Sequence, residues 1–471
     1  MILTYLKKII PTNLFKKIQP IYHFILAWIS ALFYNFPSNK LIVIGVTGTT
    51  GKTSIAYLIA RALEAAGWPT GYSSTTQFSD GQREWINDKK MTMPGRFFLQ
   101  KLLHRMIKNS CRFAVIETTS QGIEQFRHRF INYDVVVFSN LYPEHIEAHG
   151  SFENYKNAKA KLFKHLKNCS QKYVNDGKQI IKPKTALVKL DLNRVKKTII
   201  VNAADEHAPF FASFKADRKL ALIKEKEDNL KEAEISNIET FLQKDIKTDI
   251  NGTSFNLADN FFNLKLFGDF QADNASLAAL TAFSQGASWE SIKTGLNSVS
   301  SLAGKMEKID LGQDFTVIVD YAFEPVAMEK LYDLLKVFPF RRLIHVLGSA
   351  GGGRDESRRP ELGKLAGERA DVVIISNEDP YDDDPRLIIE QISTGAIIKG
   401  KKENDNLFKI LDRREAIAKA LSIAKSQDLV LVTGKGAEQY ICVRDNKKIP
   451  WDDRRVLRQE LEKILEKTVD K

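Results

Sequence analysis

Leu41-Ile42-Val43-Ile44-Gly45-Val46-Thr47-Gly48-Thr49-Thr50-Gly51-Lys52-Thr53-Ser54 is the stretch on which the fold turns. Its first four residues form a short apolar strand. A glycine-rich loop follows. Gly51-Lys52-Thr53 then opens a helical pattern with Ile55, Leu58, Ile59 and Ala62 on one face and Gly67 as its stop. Strand, glycine loop, Lys-Thr and helix in that order make a phosphate cradle. Glycines let backbone N–H groups approach the phosphates, and the helix N-terminus favours negative charge. Lys52 would neutralise the outer phosphates and the Thr53 hydroxyl would hold Mg2+. Gly48, Thr49, Thr50, Gly51, Lys52, Thr53 and Ser54 are thus the nucleotide-binding candidates, with ATP and Mg2+ as their ligands. The spacing departs from the common phosphate-loop pattern, because Val46 stands five residues before Gly51.

Two further strands aim at the same place. Phe113-Ala114-Val115-Ile116 runs into Glu117, and Val135-Val136-Val137-Phe138 runs into Ser139-Asn140. Polar residues just past the ends of parallel strands line the crevice where α/β proteins bind ligands. Glu117 is accordingly a candidate Mg2+ ligand, the plainer reading being a solvent-facing carboxylate after a strand.

Composition sets the frame around this site. The chain has 471 residues, is 43% hydrophobic and 27% charged, and carries a formal net charge of +12. That is a folded chain of two to four domains rather than a disordered one. Its three cysteines, Cys111, Cys169 and Cys442, are too few and scattered for a disulfide framework or a four-cysteine zinc site, which suits a reducing cytoplasm.

Residues 1–40 stand apart. They hold Lys7, Lys8, Lys16, Lys17 and Lys40 and no acidic residue. From Ile21 to Phe36 the sequence is apolar, interrupted only by His23, Ser30 and Asn35. The run is shorter than a spanning helix needs. On a helix, His23, Ala27, Ser30 and Tyr34 share one narrow, weakly polar stripe. Two readings stand: a helix at a membrane surface, through residues 1–36 with lysines at the headgroups, or a helix packed on the next domain or a second subunit. Pro37-Ser38 ends it and leads into the first strand.

Beyond the phosphate loop the chain resembles the Mur ligases of peptidoglycan synthesis, among the members that add an amino acid to the stem peptide. Gly45–Ser54 matches that family's own loop variant. Glu117-Thr118-Thr119-Ser120-Gln121-Gly122 is similar to its Glu-x-Ser-Ser-His-Gly segment. Asn140 to Gly150, with Tyr155 to Phe163, resembles its long signature. Gly268–Asn274, Gly304-Lys305-Met306-Glu307, Asp320-Tyr321-Ala322, Gly351–Pro360, Asp412–Glu415, Gly434-Lys435-Gly436 and Pro450–Arg454 follow in family order.

The resemblance implies roles position by position. Lys52, Glu117, His145 and Lys159 would be the catalytic set. Thr53, Glu117, His145 and a carbamylated Lys159 would serve the metal ions. Asn274 would meet adenine, and Lys305 and Asp320 would reach ATP across a domain junction. Thr119, Gln125 and Arg127 match positions that touch the muramoyl-peptide. The implied reaction is amide formation through an acyl phosphate, with a muramoyl-peptide and an amino acid as substrates and no nucleic-acid partner.

Several positions depart from the pattern. Only 40 residues precede the loop, which leaves no room for a uridine-binding domain within this sequence and suggests a substrate held without one or linked to lipid. The segment Glu378-Asp379-Pro380-Tyr381 lacks the arginine that grips diaminopimelate, and Tyr381 cannot make that paired contact. Asp379 and the following Asp382-Asp383-Asp384 suit a cationic side chain, or else simply cap the next helix. Phe323 and Ala437 replace family histidines, Glu144 replaces an aspartate, and Glu438 stays available for the incoming amine. Folylpolyglutamate synthase, a lipid-linked muramoyl ligase and an inactive ATP-binding scaffold are the competing readings.

The expected organisation has three parts. A leader spans 1–40, and a parallel α/β ATP-binding domain spans 41–306. A doubly wound Rossmann-like domain spans 307–471, with strands at Thr316–Val319, Leu343–Leu347, Val372–Ile375 and Leu429–Thr433. Residues 164–262 read as a charge-rich interruption of the first domain, with Val201–Asp205 a strand end and turn.

Overall fold

The computed structural model describes residues 12–89, 91–144, 149–174, 180–181, 192–224, 238–445 and 447–469. Its centre is the strand Ile42–Thr47, buried at every position. Phe113–Glu117 pairs with it in parallel on one side and Val135–Phe138 on the other. Register places Val46 opposite Glu117 and Thr47 opposite Phe138, so three strands end level with one another. That common end is where the glycine loop leaves the sheet. Near-continuous apolar runs are what parallel strands covered on both faces require. One face packs on the helices Lys52–Ala65 and Asp269–Ser284, and the other on Arg96–Lys108 and Phe152–Asn168.

The charge-rich stretch is not an interruption. Thr198–Asn202, Arg218–Lys224 and Ile238–Asp249 extend the same sheet beyond Val135–Phe138, and an antiparallel pair, Gly252–Leu257 and Asn260–Leu264, completes its edge. In all, eleven strands of the described residues share this sheet. Ile238–Asp249 lies near the edge, and most of its side chains are exposed or only half-buried, so its lysines and acids point to water. Val201–Asp205 is a strand end and turn as expected.

The sheet is pinned below the loop by a buried ion cluster. Asp134 accepts from the Val43 N–H at 2.9 Å, from Lys197 at 2.8 Å and from Lys172 at 2.5 Å. Burial pulls Lys172 down to about 8, with Asp134 opposing.

A second, six-stranded sheet holds Thr316–Val319, Leu429–Val432, Leu343–Leu347, Val372–Ile375 and Leu407–Lys409 in parallel order, with Glu307–Lys308 antiparallel at one edge. Helices Pro325–Leu335, Arg358–Arg369, Pro385–Ile398 and Arg413–Ile423 lie in the crossovers. This is the doubly wound arrangement the alternation of strands and helices requires. The two halves meet where Phe267 packs on Phe338 and where Lys330 lies 5.4 Å from the Tyr142 ring centroid.

The leader forms the helix Thr12–Phe33, longer at its start than the apolar run and ending before Asn35 and Phe36, which turn through left-handed conformations. A short 3-10 turn, Pro37–Lys40, delivers the chain to the first strand. The weakly polar stripe faces inward: His23, Ala27, Ser30 and Ala31 are buried, and the Tyr34 ring packs on His104. Among the described residues no helix is long and apolar enough to cross a membrane.

Candidate active site

The glycine loop closes over its own backbone. Gly48 has φ +151°, and a Cβ there would stand 1.9 Å from the Ser139 hydroxyl. Gly51, φ +81°, starts the helix Lys52–Ala65, and a Cβ there would stand 2.4 Å from the Asn274 side-chain oxygen. Both positions therefore demand glycine, on conformation and on space. Ser139 donates to the Thr50 carbonyl at 2.7 Å. Asn140 accepts from the Thr50 N–H at 2.9 Å and the Thr49 N–H at 3.2 Å. Thr49 also accepts from the Tyr155 hydroxyl at 3.2 Å. Ser54 is buried in the first helical turn beneath.

Two lysines converge on one carbonyl. Lys52 donates to the Gly48 oxygen at 3.0 Å and Lys159 to the same oxygen at 2.7 Å. Lys159 is buried, and its ammonium lies 4.3 Å from the Tyr155 ring centroid. Burial first, then the charge of Lys52, pulls Lys159 well below the ordinary lysine range, with Glu144 opposing. Burial also lowers Lys52, with Glu117 and Glu144 opposing and Lys305 adding to the shift. Lysines gathered in this way form a site short of negative charge, which a triphosphate supplies.

Beneath the loop, Glu117 is buried at the end of its strand. Its carboxylate accepts from Thr53 Oγ1 at 3.0 Å and from the Thr75 N–H at 2.7 Å. Thr75 Oγ1 also donates to it at 3.0 Å. A hydroxyl and a carboxylate side by side, at the N-terminus of the phosphate helix, are the hard oxygen donors Mg2+ prefers. Among the described residues no three His, Cys, Asp or Glu gather into a metal cage. Thr53 and Glu117 are the described side chains that could hold such a cation. His145 lies outside the described residues.

The second sheet brings its own groups to this cleft. Asp320 accepts from the Met306 N–H at 2.8 Å and the Ala322 N–H at 2.7 Å, fixing the turn that carries Lys305. Asn274 donates to Gln271 at 3.1 Å and stands against Gly51. Thr75, Thr76, Met91 and Thr92 face Tyr321, Ala437 and Glu438 across a narrow cleft. Glu438 accepts from the Tyr321 hydroxyl at 3.3 Å and from Lys435.

The amino-acid sequence of these elements carries the relationships as well as the geometry. Residues 46–192 match the Mur ligase middle domain and residues 304–436 the Mur ligase glutamate ligase domain. A UDP-N-acetylmuramyl-tripeptide synthetase of Borreliella burgdorferi is 36% identical over 442 residues, covering 91% of this chain and 78% of that protein. The chain belongs to the Mur ligase family. A UDP-N-acetylmuramoyl-L-alanyl-D-glutamate–2,6-diaminopimelate ligase of Caldanaerobacter subterraneus subsp. tengcongensis is 31% identical over 438 residues, covering 92% of this chain and 81% of its own. Among solved structures, a UDP-N-acetylmuramoyl-L-alanyl-D-glutamate–2,6-diaminopimelate ligase superposes with TM-score 0.56 at 25% identity, over 90% of this chain and 78% of that one. Folylpolyglutamate synthase of Mycobacterium tuberculosis, complexed with ADP and AMPPCP, shares the fold at TM-score 0.61 and 16% identity, over 87% of this chain and 91% of that one.

Within this Mur ligase the remaining candidates fall into two groups. Thr119, Gln125 and Arg127 lie together: Thr119 caps the helix Ser120–Glu124 by accepting from the Gly122 N–H at 3.1 Å, and Arg127 donates to Gln125 at 2.6 Å and to the Met93 carbonyl. Arg96 donates to the Gln125 carbonyl beside them. Asp379 and Tyr381 sit behind the cleft. Asp379 accepts from Lys435 at 2.9 Å and from the Cys442 N–H at 2.6 Å. Tyr381 has φ +52° and packs over Gly352. Of the acidic run, Asp383 pairs with Arg359 at 3.2 Å and Asp384 caps the helix Pro385–Ile398. The capping reading describes Asp384, and the charge of Asp379 is met within the protein.

The motifs assign no role to four residues of the site: Thr75, Asn140, Tyr155 and Lys435. Asn140 and Tyr155 lie in segments already singled out, and strand-end position marked Asn140. Lys435 lies in the Gly434-Lys435-Gly436 segment, three residues before the Glu438 it pairs with. Thr75 carries no local signal, because only the sheet order brings it to Glu117.

Proposed function

We propose that this Mur ligase joins an amino acid to the carboxylate of a muramoyl-peptide, with ATP as the energy source, in cell-wall synthesis. The observation that carries the reading is the convergence of Lys52 and Lys159 on the Gly48 carbonyl above the Thr53–Glu117 pair. The acceptor carboxylate attacks the γ-phosphorus, ADP leaves, and an acyl phosphate forms. The amine then attacks the acyl carbon, phosphate leaves, and the amine gives up a proton. Residues 41–306 bind ATP and acceptor, and residues 307–471 bring the amine.

Lys52 and Lys305 hold the phosphates, and Asp320 orients the turn that carries Lys305. Asn274 borders the adenine side. Thr53, Glu117 and His145 would hold Mg2+, which supplies charge neutralisation at the phosphates when bound. The depressed Lys159 amine is a nucleophile for CO2: it adds the carbon, loses a proton and becomes an anionic carbamate. Thr119, Gln125 and Arg127 face the acceptor. Glu438, steadied by Tyr321 and Lys435, receives the amine, with Asp379 and Tyr381 forming the wall behind it. The work is positioning and charge neutralisation in a closed cleft. The enzyme operates in the cytoplasm, against the inner membrane surface through residues 1–36.

The test is phosphate release by purified protein given ATP, Mg2+, a UDP- or lipid-linked muramoyl-dipeptide and a panel of amino acids. Release that requires both acceptor and one amino acid is expected. Background release with every combination would overturn the proposal.

A further inference from the structure

The leader helix is amphipathic in the reverse sense. Its inward side is small or weakly polar, with His23, Ala27, Ser30 and Ala31 buried against the domain. Its outward side carries Ile18, Ile21, Phe24, Ile25, Trp28, Ile29, Leu32 and Phe33, all exposed, Ile21 at 61% and Phe33 at 72%. Their spacing by three and four residues makes one continuous stripe. Phe97 touches Phe33 and widens the stripe, and it is itself exposed. A soluble surface helix places such side chains inward. An apolar patch of this extent on a folded protein marks a contact with another apolar phase.

Charge decides which phase. The leader sequence holds Lys7, Lys8, Lys16, Lys17 and Lys40 and no acidic residue. On the described surface, Lys101 is exposed one helical turn from Phe97, and Arg129 lies 6.0 Å from the Phe126 ring that contacts Phe24. Cations around an apolar stripe complement an anionic lipid surface. Trp28 and Tyr22 are the side chains favoured at the headgroup level. The helix of 22 residues contains Pro20, and among the described residues no helix is both long and apolar enough to cross a membrane.

We infer that the outward face of Thr12–Phe33, with Phe97, lies in the plane of an anionic bilayer, its apolar side chains in the headgroup–acyl boundary. This deepens the membrane contact named above and rests on that part of the reading. The docked face adjoins the acceptor residues: Phe24 contacts Phe126 and Phe130 on the segment that bears Gln125 and Arg127. Burial first, then the charges of Arg96 and Arg127, holds His23 down to about 4.

The experiment uses the full chain, sedimented with vesicles of phosphatidylglycerol and phosphatidylcholine or of phosphatidylcholine alone. Binding to the anionic vesicles that weakens with salt is expected. The double variant Trp28→Glu/Phe33→Glu should bind roughly tenfold more weakly or worse, with an unchanged circular-dichroism spectrum and unchanged phosphate release on a soluble acceptor. Protein that stays in the supernatant at low salt would overturn the inference, as would a double variant that pellets like wild type. A dimer that the double variant dissociates, without vesicle binding, would assign the face to a second copy and equally overturn it. Phosphate release measured without vesicles separates the two claims: its absence strikes the ligase reading and leaves the sedimentation result standing.

Discussion

Glu117 separates the architecture of the site from its chemistry, and a pair of substitutions tests both. The carboxylate is buried and accepts from Thr53 Oγ1, the Thr75 N–H and Thr75 Oγ1 at 2.7–3.0 Å. Hydrogen bonds to a charged group contribute about 1.5–3 kcal/mol each, and a buried donor left alone is expensive. Glu117→Ala strands donors on two residues and should destabilise the protein by about 3–6 kcal/mol. Glu117→Gln can keep its oxygen where Thr53 Oγ1 and the Thr75 N–H both donate and turn its amide to the Thr75 hydroxyl, which can accept, so the loss should stay near ~1–2 kcal/mol. The charge is gone in both. Glu117→Gln should therefore fold, yet turn over at least ~100-fold more slowly and need roughly tenfold more Mg2+ for half-maximal rate. Urea unfolding monitors the first effect, and phosphate release across a Mg2+ titration monitors the second. A Glu117→Gln enzyme with wild-type rate and unchanged Mg2+ dependence would refute the metal-ligand role. A Glu117→Ala protein as stable as wild type would refute the bonding argument.

Three further outcomes follow from the same geometry. Lys159→Ala should abolish phosphate release, and added bicarbonate should not restore it, because no amine remains to form the carbamate; normal activity would exclude that role. Asp134→Ala leaves Lys172 and Lys197 buried without their carboxylate and should cost about 3–5 kcal/mol in urea unfolding, a loss under 1 kcal/mol speaking against the cluster as a support. His345, buried between Tyr332 Oη at 2.6 Å and Thr433 Oγ1 at 2.9 Å, is lowered to about 3 by burial, with Arg413 contributing. Its folded pKa lies below its unfolded one, so its stabilisation is complete above about pH 6.5 and declines as pH falls toward 3. Between pH 6 and 5 wild type should lose about 1 kcal/mol more than His345→Gln, and identical slopes in urea unfolding would contradict this.

The phosphate loop was legible because its chemistry is local. Glycines, Lys52 and Thr53 act within one strand–helix connection, and no distant partner is needed to recognise them. The second sheet was legible for a related reason: its buried parallel strands read as apolar runs, and Thr316–Val319, Leu343–Leu347 and Val372–Ile375 stand where the runs stand. Within 164–262, Thr198–Asn202 is an interior strand buried throughout, but Arg218–Lys224 and Ile238–Asp249, toward the sheet's end, are partly exposed. There one side of a strand meets water, and charge hides the pattern of pairing.

The leader divides the two kinds of knowledge most sharply. Composition alone marks residues 1–40 as basic and apolar, and helical spacing alone puts His23, Ala27 and Ser30 on one stripe. Which side of that helix meets the domain is a matter of tertiary packing. The small, weakly polar side is buried where the helix packs on Arg96–Lys108, and this turns Trp28 and Phe33 outward, with Phe24 at the border against Phe126 and Phe130. The same holds at the active site. Residue types and spacing mark Lys52, Thr53 and Glu117 as the candidates for the chemistry. Only the sheet order, which sets three strand ends level, decides that Thr75 meets Glu117 while Asn140 and Lys159 meet the glycine loop above it.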